Sequence, residues 1–243
     1  MHPKDKITVV WLDNGEVTSD FAVSMCDIFR VHSDRITGRV VVRSGGAITR
    51  GRNSAIHEFL AQSSDEWALL VDSDMKFTPN DLRVVMNVAD RKTRPVVGGL
   101  CFAHSGQNIG AFPMLMPTIY HRSKTREQSF TPMFDYPRDE LVECDATGAA
   151  FLLVHRDVLE GVRDLVQLGG WSWFHEGPTE DLASWMGEDV SFCNLIKAAG
   201  FPIHIHTGAK IGHVKGVNYV LDEDMYQMMY QGATQVAAAN ADA

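Results

Sequence analysis

Two carboxylates stand on alternate residues at the end of an apolar run, Leu69-Leu70-Val71-Asp72-Ser73-Asp74. On an extended chain they project to the same side, and unpaired they would repel until one took up a proton. A divalent cation removes that cost, because Mg2+ and Mn2+ take hard oxygen ligands and commonly hold substrate phosphates as well. Two solvated acids in a turn are the plain alternative. A second acidic pair, Glu188-Asp189 after Gly187, opens a helical stretch, where capping and the helix dipole favour acids without any catalytic role. Just before it runs an aromatic, turn-rich segment with Trp171, Trp173, Phe174 and Trp185. A carboxylate beside such rings would be partly desolvated and a stronger base. Indole faces also suit the C–H faces of sugars, although a satellite hydrophobic core explains the cluster equally well.

Three histidines follow, His204, His206 and His213. Alternation puts the first two on one face of a strand, and three imidazoles are a zinc donor set. Only His213 has a turn-like, glycine-flanked context, and it becomes a ligand if the fold carries it to Asp74. The stretch Ser44-Gly45-Gly46-Ala47-Ile48-Thr49-Arg50-Gly51-Arg52-Asn53 joins small residues to a basic helix start. Such a start can receive a phosphate or a nucleotide edge. It matches neither standard nucleotide-binding glycine fingerprint.

The elements that must position these groups alternate in the first half of the chain. Ile7–Leu12, Arg39–Val42, Trp67–Val71 and Pro95–Gly99 read as buried strands, with helices expected over about 18–32, 50–62 and from Pro79. Strands separated by such helices imply parallel pairing in a doubly wound sheet, whose ligands bind at the carboxyl ends of the strands. Residues 104–140 carry four prolines and no sustained period, so a long connection or irregular hairpins is expected there. Ala149–Val154 and Pro202–His206 read as strands, Lys210–Val214 as another, and 157–168, 188–199 and about 222–238 as helices.

Composition sets the outer bounds. The 243 residues fit one α/β domain with a full core of its own. Charged residues at 22% and hydrophobic residues at 45% exclude disorder, coiled coil and collagen. The longest apolar stretches are far too short for a membrane span, and residues 1–6 lack the apolar segment of a signal peptide. Four scattered cysteines without a C-x-x-C pair point to a reduced, cytoplasmic setting. A net charge of −9 argues against wrapping nucleic acid.

The order of these features resembles the GT-A glycosyltransferases, especially family 2, including small versions encoded by bacteria and bacteriophages. It runs from Arg52-Asn53 through Leu-Leu-Val-Asp-Ser-Asp to Thr147-Gly148-Ala149-Ala150-Phe151 with Arg156. The aromatic loop, Gly-Glu-Asp-Val-Ser-Phe-Cys and a terminal Gly212-His213 complete it. The resemblance covers about residues 7–216 and implies a single Rossmann-like α/β domain over 1–243, with a mixed, mostly parallel central sheet flanked by helices. Within it, about 7–103 would bind the nucleotide sugar, about 104–216 would carry the acceptor and catalytic groups, and 217–243 would form a terminal helix and tail.

The resemblance also implies roles. Asp74 and His213 look like the ligands of Mn2+ or Mg2+, with Asp72 near the ribose or reaching the metal through water. Arg52, Asn53, Asp72 and Ser73 look like parts of the nucleotide pocket. Asp189, with Glu188 beside it, is similar to the general base of inverting members. The activity implied is transfer of a sugar from a nucleoside diphosphate, UDP favoured, to an acceptor hydroxyl. The usual Pro-x-Tyr-Asn-Glu after the first strand is replaced here by Trp11-Leu12-Asp13-Asn14-Gly15, which bears on the choice of base.

Three other readings compete. Asp-x-Asp after a strand also occurs in haloacid-dehalogenase phosphatases, but Lys76 stands where their Thr or Val would be, and the motif comes third along the sheet. A metal-dependent nucleotidyltransferase or phosphohydrolase would use the same acids on a nucleotide. A non-catalytic carbohydrate-binding protein would not need Asp72, Asp74, Asp189 and His213 together. Protein, glycan, lipid-linked sugar and a hydroxymethylated DNA base all remain open as acceptors. Residues 104–140 and 171–186 are the segments expected to bind them, the first with a basic stretch at His104, His121, Arg122, Lys124 and Arg126.

Overall fold

The apolar run at the start of the chain forms strand β1 (Ile7–Asp13), the second strand inward from one edge of a seven-stranded sheet. We describe a computed structural model of the chain, in which all residues are described except 110–111, 124–129, 180–181, 183, 216–218 and 231–243. β2 (Ile36–Arg43) and β3 (Trp67–Val71) flank β1 in parallel. The helices between them are α1 (Ser19–Val31) and α2 (Ile48–Gln62). Thr18 caps α1 by accepting from the Phe21 N–H, which satisfies one of the free donors of the first turn. β4 (Met75–Lys76) follows β3 at once, and α3 (Pro79–Val88) starts on a reciprocal Thr78/Asp81 capping box with Pro79 in its first turn.

β5 (Val96–Leu100) completes the run expected from the sequence. The segment read as a long connection or irregular hairpins takes the second form. β6 (Phe102–Ile109) pairs β7 (Phe112–Pro117), and β8 (Ile119–Arg122) pairs β9 (Phe130–Pro132). β10 (Leu141–Cys144) and β11 (Ala146–Thr147) follow. Pro113, Pro117 and Pro132 sit within short, two- and three-stranded ribbons away from the main sheet, where a missing N–H costs little. Lys124 and Arg126 of the basic stretch lie outside the described residues.

β12 (Phe151–His155) then enters the centre of the main sheet antiparallel to both β3 and β5. It departs from the all-parallel pattern because the chain reaches it through hairpins and not through a crossover helix. α4 (Arg156–Val166), α5 (Glu188–Ala198), β15 (Ile203–Lys210) and β16 (Gly212–Lys215) complete the frame, with the two-residue ribbon β13 (Gly177–Pro178) and β14 (Trp185–Met186) before α5. The strand order is β10-β15-β5-β12-β3-β1-β2. Beyond β16, β17 (Tyr219–Leu221) leads to helical residues 223–230; the rest of the expected terminal helix lies outside the described residues.

Strand alternation builds two cores, one on each face. Val10, Leu12, Ala68 and Leu70 pack with Ile56 and Phe59 of α2, Leu159 of α4 and Ile196 of α5. Val9, Trp67, Leu69 and Val71 pack with Phe21 and Ile28 of α1 and Leu82 and Val85 of α3. The sheet is therefore sandwiched, and the carboxyl ends of β1 and β3 emerge together at one edge of the sandwich.

Candidate functional site

β3 stops at Val71, and Asp72-Ser73-Asp74 is a tight turn. The Asp72 N–H donates to the Ala150 carbonyl, and the Met75 N–H donates back to the Asp72 carbonyl at 3.1 Å. Strand alternation therefore does not govern the two acids, contrary to the expectation that they project to one side. They diverge to different partners. The Ser73 carbonyl accepts from the Thr18 N–H and so anchors the start of α1.

Asp74 meets His213, 139 residues away in sequence, with Nε2 3.0 Å from Oδ2. His213 lies in β16, not in a turn. Its place opposite Met75 is set by pairing of β16 with β4, and β17 supports the other edge. On the far side of the ring, Nδ1 is 3.1 Å from the Phe102 carbonyl. A carbonyl only accepts, so Nδ1 carries a proton. A carboxylate oxygen and an imidazole nitrogen backed by a carbonyl are two donors that Mn2+ or Mg2+ could take, and among the described residues no third His, Cys, Asp or Glu joins them. Lys215 adds a positive charge that the sequence reading missed, its Nζ 2.8 Å from the same Oδ2. Its only sequence signal is its position two residues after His213. Burial alone would raise the Asp74 carboxyl, but the hydrogen bonds from His213 and Lys215 outweigh it and hold the group down at about 2.

Histidines 204 and 206 take no part. They sit on β15, opposite Glu143 and Leu141 of β10, and the His206 Nδ1 accepts from the Gly208 N–H. Among the described residues, no cluster of three or more His, Cys, Asp or Glu side chains is placed to hold a metal, so the zinc triad does not form.

Asp72 turns the other way, to Arg52. One guanidinium nitrogen, Nη2, reaches both Asp72 oxygens at 3.0 and 3.1 Å. The other, Nη1, donates to Glu188 at 3.3 Å and to Asp189 Oδ1 more closely. The guanidinium also lies over the Phe174 ring, 5.3 Å from its centroid. A cavity of only about 20 Å3 adjoins Arg52 and Asp72, room for about one water, so the guanidinium is packed in place. Arg52 is thus the hub of three carboxylates drawn from three parts of the chain. α5 bears no side-chain cap, and its first-turn acids are turned outward onto Arg52. Capping therefore does not account for Glu188 and Asp189.

Close packing of α2 makes this reach feasible. A Cβ on Gly51 would stand 2.8 Å from the Ser44 Cβ, so the glycine lets the helix press against the β2–α2 turn. Asn53, one residue past Arg52, spends its whole carboxamide on the aromatic loop. Nδ2 donates to the carbonyls of Thr49 and Phe174, and Oδ1 accepts the N–H groups of Trp173 and Phe174. That staple explains the fate of the aromatic cluster. Trp173 and Phe174 are fully buried, Trp173 with its indole N–H on the Leu159 carbonyl and Phe174 against Phe192. They are core, and neither is a stacking platform; Trp171 and Trp185 remain exposed.

No helix among the described residues is long and apolar enough to cross a membrane. A search of curated protein sequences returned no match. Among solved structures, A197 from STIV superposes with a TM-score of 0.57 at 15% identity, covering 90% of this chain and 91% of that one. GalNAc-T7 with UDP, GalNAc and Mn2+ superposes at 0.55 and 9% identity, covering 88% of this chain and 44% of that longer one. These similarities show the GT-A fold, with its mixed, mostly parallel sheet between two layers of helices. A family model described as glycosyltransferase-like family 2 matches residues 1–228, nearly the whole chain, and the chain belongs to that family.

Proposed function

We propose that this glycosyltransferase domain moves a sugar from a nucleoside diphosphate, with UDP the favoured carrier, to an acceptor hydroxyl. Asp74 and His213 hold Mn2+ or Mg2+, and Asp189 is the general base. The observation that carries the reading is the convergence of a carboxylate–imidazole pair at Asp74 and His213 with a separate carboxylate cluster at Asp72, Glu188 and Asp189. A transferase needs both: one group for the leaving diphosphate, another for the attacking hydroxyl.

A divalent ion, when bound, supplies Lewis-acid stabilisation of the negative charge that grows on the departing diphosphate. Asp72 lies one turn residue from Asp74, within reach of a donor ribose, and Ser73 lies between them. Arg52 donates to Asp189 Oδ1 and so holds the carboxylate in one orientation. Oδ2 lies beside Gly148, 3.6 Å from where a Cβ there would stand, and the Asp189 side chain keeps 30% of its surface exposed. Oδ2 takes the acceptor proton as the acceptor oxygen bonds to the anomeric carbon and the carbon–phosphate oxygen bond breaks. Help of that kind is worth about 10²–10⁴ in rate.

Asp189→Asn should lower transfer at least about 100-fold while UDP binding by calorimetry is kept; near-normal turnover would exclude the base role. Asp74→Ala should abolish the Mn2+-dependent part of UDP affinity, and an unchanged affinity would remove the ligand assignment.

A further inference from the structure

Two stretches singled out in the sequence, the small-residue turn at 44–50 and the aromatic loop at 171–176, face each other across one open cavity of about 750 Å3. That volume falls within the roughly 300–1,000 Å3 of small-molecule clefts. The cavity is separate from Asp74 and His213, which do not line it, and it ends on Glu188 of the carboxylate cluster. Phe174 is its shared wall with the small cavity beside Arg52 and Asp72. A ligand lying there would approach the carboxylate cluster from its Glu188 end.

We infer that this groove binds the acceptor, and that the acceptor is a saccharide. The inference rests on the transfer reading above and adds where the second substrate lies and what it is made of. The lining offers both kinds of surface that a sugar ring presents. Trp171, 53% exposed, gives an indole face for ring C–H groups, and Leu168 and Ile48 are further apolar side chains of the lining. Arg50 and Glu176 supply the charged hydrogen-bonding groups of both signs that hydroxyls accept equally. His175 adds a ring nitrogen, Nε2, that is buried and has no hydrogen-bond partner. Two carboxylates, Glu176 and Glu188, line the groove against a single cation, Arg50, which disfavours an anionic acceptor such as DNA.

The test uses the full chain and four simple probes, the methyl glycosides of glucose, galactose, mannose and N-acetylglucosamine, with ligand-observed saturation-transfer NMR. At least one should show transfer to its ring C–H protons. Trp171→Ala should cut that signal at least about fivefold, and Trp171→Phe should restore part of it, because a phenyl ring keeps a face for stacking. Because Trp171 is exposed, the fold should survive both changes, checked by an unaltered Tm. UDP with Mn2+ is titrated in parallel. If UDP binds but no glycoside does, or if the glycoside signal is indifferent to Trp171, the groove assignment is overturned while the donor reading stands. If glycosides bind through Trp171 but UDP does not, the donor reading fails and the groove stands. Trp171-dependent binding of a serine/threonine peptide or of single-stranded DNA in place of the glycosides would overturn the saccharide assignment.

Discussion

Replacing Arg52 by Gln removes the one cation that Asp72, Glu188 and Asp189 share. Its side chain is 10% exposed, so water cannot take its place without rearrangement. Breaking a buried ion pair from one side costs about 3–5 kcal/mol. The three acids are themselves 21–33% exposed, which screens their repulsion and puts the loss near the lower end, about 3 kcal/mol. For a domain of this size each kcal/mol moves Tm by about 2–4 °C, so the expected drop is about 6–12 °C near neutral pH. Differential scanning calorimetry of both proteins near neutral pH reads the drop directly. A Tm within about 2 °C of wild type would refute the hub role.

Lys215→Met should cost up to about 1 kcal/mol, after allowing for the partial exposure of both side chains. Because Asp74 sits at about 2 when folded, below the ordinary carboxylate value, its stabilising contribution is complete above about pH 4. It is lost as pH falls toward 2, so the gap in urea midpoint between variant and wild type should narrow over that range. A gap independent of pH would place the effect elsewhere. Trp173→Ala should destabilise by about 3–5 kcal/mol through a core cavity, yet leave UDP affinity of the folded fraction unchanged. A selective loss of UDP affinity without loss of Tm would contradict its reading as core.

Much of the frame was legible from local pattern. The runs at 7–12 and 67–71 are apolar but for Thr8 because both faces of those strands are covered, and Pro79 with its capping residues marks the start of α3. The reversal at β12 was not legible, because its residues are as uniformly apolar as a parallel strand's and carry no mark of direction. The strands within 102–132 were hidden for a different reason: short ribbons with prolines have no period long enough to stand out.

The residue types of the candidate site were set by the sequence alone. Asp72, Asp74, Glu188, Asp189 and His213 could be picked out because their order along the chain resembles that of the family. Which of them meet was decided only by tertiary structure. Asp72 and Asp74 are two residues apart, yet a turn sends one to Arg52 and the other to His213. Arg52 and Asn53 are adjacent, yet one gathers carboxylates while the other staples the aromatic loop. Trp171 and Trp173 read alike, but only the first is left facing the groove. The physical reason is common to all three cases. Local chemistry depends on side-chain type, which the sequence states directly. Pairing depends on which way each side chain leaves the backbone and on what lies more than a hundred residues away, and packing alone settles that.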